Sequence, residues 1–90
     1  MPETISILVK GKVQGVFFRQ STREKATELG LTGEVKNKDD GSVSIIATGL
    51  PDQLDALAQW CQEGPARAKV ISVHVENLPL QEFHDFNIIR

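Results

Sequence analysis

An α+β domain, with strands and helices in the order β-α-β-β-α-β, is what this 90-residue sequence predicts. Three observations predict it. Several short stretches alternate apolar and polar residues at the two-residue period of a half-buried strand. Two others repeat apolar residues at helical spacing, and glycine or proline punctuates the joints between them.

Thr4-Ile5-Ser6-Ile7-Leu8-Val9 is β-branched and roughly alternating, the signature of a first strand. Gly11 and Gly15 then bracket a short loop. From Phe18 onward, Phe18, Thr22, Ala26 and Leu29 share one helical face, and Gly30 supplies a left-handed stop. Ser21 and Glu24 have the spacing of a capping box, so the helix start lies between Phe18 and Ser21. Leu31 to Asn37 and Ser42 to Thr48 form a strand pair around the Asp40-Gly41 turn signal, a hairpin. Pro51 opens a second helix with Asp52 and Asp55 near its positive end, and Leu54, Leu57, Ala58 and Cys61 form its buried stripe. Gly64-Pro65 ends it. Val70 to Val75 makes a fourth strand, and Phe83 to Ile89 a final short one with Phe86 and Ile88 on one face.

This order is the split β-α-β pattern of ferredoxin-like sandwiches. It predicts an antiparallel sheet of four to five strands, with right-handed crossovers placing both helices on one face. A chain of this length is one domain, spanning residues 1–90.

Composition narrows the function. Forty per cent hydrophobic and 24% charged residues describe an ordinary globular protein, and no apolar run is long enough to span a bilayer, so no membrane partner is expected. The N-terminal residues Met1-Pro2-Glu3-Thr4 lack the pattern of a secretory signal, and Cys61 is the single cysteine, compatible with a reducing cytoplasm. His74 and His84 are too far apart to read as a metal-ligand pair, so no metal site is expected. A net charge of −2 weighs against nonspecific nucleic-acid binding. The distribution is uneven: residues 10–38 hold seven basic against three acidic residues, and the remainder three basic against nine acidic. A basic segment in an acidic protein suggests a local anion site, although a cluster of solvated charges has the same composition.

The informative stretch is Gly11-Lys12-Val13-Gln14-Gly15-Val16-Phe17-Phe18-Arg19. A glycine-flanked loop leaving a strand and entering a helix can turn successive N–H groups into one concavity and add the positive end of the helix dipole. Arg19, in the first turn, offers a planar, permanently charged fork to phosphate oxygens. Taken alone, such a loop is also an ordinary strand-to-helix turn. It is not a nucleotide P-loop, because no Gly-Lys-Ser/Thr follows.

Gly11-x-Val13-Gln14-Gly15-Val16-x-Phe18-Arg19 resembles the signature of acylphosphatases. A second block, Gly30-Leu31-Thr32-Gly33-x-Val35-x-Asn37-x-x-Asp40-Gly41-Ser42-Val43, resembles that family's other signature. Gly64-Pro65, the valine-rich strand and Phe86-x-Ile88 extend the likeness over nearly the whole chain. The resemblance implies a five-stranded ferredoxin-like fold and hydrolysis of small-molecule acyl phosphates to carboxylate and inorganic phosphate by a monomer, without metal or cofactor. It also implies that the loop from Lys12 through Val13, Gln14 and Gly15 to Val16 holds the phosphoryl group by backbone amides. Arg19 then binds phosphate oxygens, Asn37 orients the attacking water, and Gly11 and Gly15 shape the loop.

These assignments suit the chemistry. An acyl phosphate leaves as a carboxylate whose conjugate acid has a pKa of about 4, so no strong general acid is needed. A carboxamide can place a water in line with the P–O bond without accepting its proton. The sequence departs from common family patterns at Gln20, Ser21, Glu34 and Lys38, changes expected to alter stability or access beside the site. Asp39 and Asp40 next to Gly41 are explained by turn formation, and Trp60 by packing over the core.

Two other function classes share this outline. A noncatalytic anion sensor would use the same cradle but has no need of Asn37. An RNA-recognition domain has the same element order but carries stacking aromatics on its central strands, where Thr4–Val9 and Ser42–Thr48 have none.

Overall fold

The computed structural model describes residues 1–89. Its elements are β1 (Glu3–Lys12), α1 (Phe18–Glu28), β2 (Thr32–Asn37), β3 (Val43–Gly49), α2 (Pro51–Cys61), β4 (Lys69–Leu78) and β5 (Phe86–Ile89). The five strands form one sheet in the order β4-β1-β3-β2-β5. The pairs β1–β3, β1–β4 and β2–β3 are antiparallel, as expected for the ferredoxin-like order. The short β5 adds to the β2 edge in parallel, with Gly33 opposite Phe86 and Val35 opposite Ile88, so the complete sheet is mixed.

Strand alternation sorts the side chains. Ile5, Ile7 and Val9 of β1 share a face with Val43, Ile45 and Ala47 of β3 and Val35 of β2, and all are buried. Both helices lie on that face, α1 over β2 and β5, α2 over β1, β3 and β4. From α1 come Phe18, Thr22 and Ala26, from α2 Leu54, Leu57 and Cys61. Thr22 is tolerated there because its hydroxyl donates to the Phe18 carbonyl, 2.7 Å away, one turn back. Burial pushes the Cys61 thiol up to about 12, so it packs as a small hydrophobe. Trp60 is half-buried against Phe18, ring centroids 5.5 Å apart, and ties the end of α2 to the start of α1.

Two differences from the sequence expectation bear on the site. β1 continues through Gly11 to Lys12, so Gly11 lies in the strand and the loop proper begins at Val13. Gly11 sits where the register with β4 shifts, its φ is +130°, and a Cβ there would strike the Lys69 carbonyl. Glu34 alternates with buried Gly33 and Val35 and therefore projects to the helix-free face, away from the face that Asn37 shares. Its departure from the family pattern consequently falls outside the neighbourhood of the loop.

Candidate active site

Where β1 ends, the chain crosses to α1 through residues 13–17, and this crossing is the wall of a cleft of about 320 Å³. The cleft is lined by Val13, Gly15, Phe17, Phe18, Arg19, Gln20, Asn37 and Ile88. Three separate elements thus meet: the loop with the first turn of α1, the last residue of β2, and β5.

The loop conformation follows from two left-handed residues. Gly15 has φ +73°, and a Cβ there would meet nothing within 4 Å, so the backbone angle rather than space calls for glycine. Phe17 has φ 64° and ψ 24°, an uncommon position for a bulky side chain. Between them they turn the chain sharply enough that Phe18 enters the core while Phe17 is left 68% exposed at the rim of the cleft. Among the described residues, no backbone hydrogen bond is donated by the N–H groups of residues 13–17 outside strand pairing. The helix start is equally open: Phe17, as N-cap, provides no side-chain bond and the first turn holds no acidic residue. Free amides of a loop and of a helix start therefore occupy one place, a setting that favours an anion.

Burial of Phe18 fixes the first turn of α1, and the next residue round the helix, Arg19, is delivered to the cleft half-buried. The one ion pair among the described residues is Lys25–Glu28 at 3.6 Å, so Arg19 has no carboxylate partner there. From β2, Asn37 presents a side-chain oxygen, Oδ1, that is buried yet accepts no hydrogen bond. A buried acceptor without a partner is costly, and such groups concentrate where a ligand or water completes them.

The remaining candidate residues take different places. Val16 is buried beneath the loop. Lys12 is exposed at the end of β1, opposite Lys69, and does not line the cleft. Gln14 directs its side chain away from the cleft lining: its Nε2 donates to the carbonyls of Lys38 and Ser42, at 2.8 and 2.9 Å. Phe17, Phe18 and Ile88 line the cleft although sequence reasoning did not assign them to the site, and Gln20, expected beside it, lines it too. For Phe17, Phe18 and Gln20 the signal was their place beside Arg19 in or next to the first motif; for Ile88 it was available only once β5 was known to pair with β2.

The turn beyond Asn37 is held by Asp40, whose carboxylate accepts from the Ser42 amide at 3.0 Å and from the Ser42 hydroxyl. These bonds hold the Asp40 carboxyl below its usual range, and they account for the residue structurally. Cleft-lining residues include no carboxylate, imidazole or thiol. His74 and His84 are both exposed, and among the described residues no group of three or more His, Cys, Asp or Glu is placed to hold a metal ion. No helix among them is long and apolar enough to cross a membrane.

Comparison with known proteins covers nearly the whole chain. A family model described as acylphosphatase matches residues 5–88. An acylphosphatase of Marinobacter nauticus is 59% identical over 81 residues, covering 89% of this chain and 88% of that protein. The solved structure of an acylphosphatase from Coxiella burnetii superposes with a TM-score of 0.95 at 44% identity, covering 98% of this chain and 93% of that one. The crystal structure of acylphosphatase from Bacillus subtilis gives a TM-score of 0.94 at 35% identity, covering 100% of both chains. By its two motifs, its sheet order and these similarities, the chain belongs to the acylphosphatase family.

Proposed function

We propose that the cleft hydrolyses small-molecule acyl phosphates, with the phosphoryl group held by the 13–17 amides, the start of α1 and the Arg19 guanidinium. Water held by Asn37 attacks phosphorus, the P–O bond to the acyl group breaks, and its electron pair leaves on the carboxylate. A dianionic acyl phosphate and one water thereby become a carboxylate and a monoanionic phosphate, and both water protons stay on the phosphate. Phosphoryl transfer of this kind depends on in-line positioning and on neutralising charge at the equatorial oxygens, which the amides and Arg19 are suited to do.

The observation that carries this proposal is the partnerless Asn37 Oδ1 in the same cleft as Arg19 and the open amides. A carboxamide oxygen there would accept a hydrogen bond from the attacking water and hold the water's lone pair toward phosphorus. A mere phosphate sensor gains nothing from a buried acceptor beside its anion. The carboxylate leaving group, together with a cleft lined by no acidic, imidazole or thiol side chain, supports a reaction without metal or general acid. A lone buried cysteine fits a cytoplasmic location.

Hydrolysis of benzoyl phosphate in excess EDTA, by the wild-type protein beside Asn37→Ala, tests it. Turnover should be rapid for the wild type and about 100-fold or more slower in the variant, with inorganic phosphate still bound by both. Phosphate binding without turnover in the wild type would make the domain an anion sensor instead.

A further inference from the structure

The groups assigned to phosphate binding and to water orientation sit on elements that do not touch through the sheet. The loop follows β1, Asn37 ends β2, and β3 lies between those strands. No other side-chain hydrogen bond among the described residues joins the loop to the end of β2: Gln14 alone bridges them, by donating to the Lys38 and Ser42 carbonyls. Those carbonyls are the two that close the turn after Asn37. The Ser42 oxygen also accepts from the Lys38 amide at 2.9 Å, and the Lys38 oxygen from the Gly41 amide at 3.1 Å. One carboxamide therefore completes both acceptors of the turn, and its donors are fully used in doing so.

Asn37 itself has no bond on its buried Oδ1 that would set its side chain from within the protein. Its position depends on the backbone of residues 37 and 38, and that backbone is where Gln14 attaches. We infer that Gln14 is a positioning residue: its side chain sets the distance between the anion-holding loop and the water-orienting carboxamide of Asn37. The inference rests on the catalytic role proposed for Asn37, and it assigns the Gln14 side chain a task separate from any contact its backbone makes with phosphate.

The consequence is a split between binding and turnover. Loop curvature is set by the left-handed Gly15 and Phe17 and by the buried Phe18, none of which needs the Gln14 side chain. Gln14→Met, close in length but without donors, should keep inhibition by inorganic phosphate near the wild-type concentration. Its kcat should fall about tenfold or more, since displacements near 1 Å in a reacting assembly have effects of that size. Gln14→Glu, which turns oxygens toward both carbonyls, should be at least as impaired.

A double-mutant cycle with Asn37→Ala decides the matter. If Gln14 acts through Asn37, adding Gln14→Met to Asn37→Ala should lower kcat by no more than about twofold further. Independent, multiplicative losses would overturn the inference, and so would a Gln14→Met enzyme with normal kcat. A parallel rise in the phosphate inhibition constant would show instead that Gln14 shapes the loop. Circular dichroism melts of each variant restrict the kinetic comparison to folded protein. Full activity in Asn37→Ala alone would instead remove the proposed mechanism, a result the cycle keeps distinct from failure of the Gln14 inference.

Discussion

The two helices have the same length, 11 residues, and opposite beginnings. At α2 the start is closed. Pro51 removes one of the amides that would lack a partner, Asp52 complements the dipole, and the Gln53 side chain accepts the Leu50 N–H at 2.9 Å. At α1 the start is open. Its N-cap is a left-handed phenylalanine without a side-chain cap, no acidic residue follows, and an arginine stands in the first turn where the dipole disfavours a cation. Each feature of α1 lowers its own stability, and each suits the anion site proposed there. On that proposal, polar groups left open mark the site and polar groups closed mark scaffold.

The largest expected effect of this contrast is at Arg19. Arg19→Ala removes the one charged side chain lining the cleft, and turnover of benzoyl phosphate should drop about 100-fold or more. Inorganic phosphate should raise the wild-type melting temperature by binding the folded state, and the variant should lose that response. Because the cation opposes the helix dipole, the variant without phosphate should melt no lower than wild type. A destabilised Arg19→Ala protein would mean that the guanidinium is scaffold, and the contrast between the helix starts would collapse.

Truncation under α2 should behave in the opposite way. Leu57 is fully buried, and Leu57→Ala should lower stability by about 2–5 kcal/mol through lost burial and an unfilled cavity. Folded variant at low temperature should keep its kcat, because α2 contributes nothing to the cleft lining. Urea unfolding beside steady-state kinetics reads both quantities, and a large loss of kcat in fully folded protein would show that the scaffold is not separable from the site.

The two beginnings also differ in what their residues disclose. Pro51 at a helix start, glycine at Gly30 and the apolar periodicities are local signals, and the element order follows from them. The alternation of β1 and β3 likewise showed which face is buried. Strand order and the parallel docking of β5 depend on packing between distant segments, and no local pattern encodes them; Ile88 therefore escaped notice as a cleft residue. β4 is an edge strand, 10 residues long and largely exposed, so its polar end Glu76–Asn77 carries no hydrophobic signal and the strand ran farther than its apolar pattern. The loop motif stood out by resemblance, but the left-handed angle at Phe17 did not, since a phenylalanine gives no hint of positive φ. The bridge from Gln14 to the turn was equally silent: a carboxamide side chain in a motif does not announce which carbonyls it will reach.

Phe17 provides the next test. A left-handed angle costs a non-glycine residue about 1–2 kcal/mol, and 68% exposure means that little burial is lost with the ring. Glycine returns part of that gain through unfolded-state entropy, so Phe17→Gly should stabilise the protein by about 1 kcal/mol or slightly less. Phosphate inhibition should persist, because glycine adopts the same backbone angle. A destabilised variant in urea would show that the exposed ring holds the loop by packing and that the site carries no conformational strain at this residue.

The smallest effect belongs to the closed start of α2. Gln53→Ala deletes the acceptor of the Leu50 N–H while keeping a good helix former, and should lower stability by about 0.5–1 kcal/mol with kinetics unchanged. The size of the loss is limited because Leu50 is exposed and water can replace the carboxamide. Its value lies in the pairing with Arg19→Ala. One substitution at each helix start should move stability without activity at α2, and activity without loss of stability at α1. If Gln53→Ala changed kcat, rigidity at the start of α2 would reach the cleft through the core that Phe18 and Trp60 share, and helix termini alone would no longer separate site from scaffold.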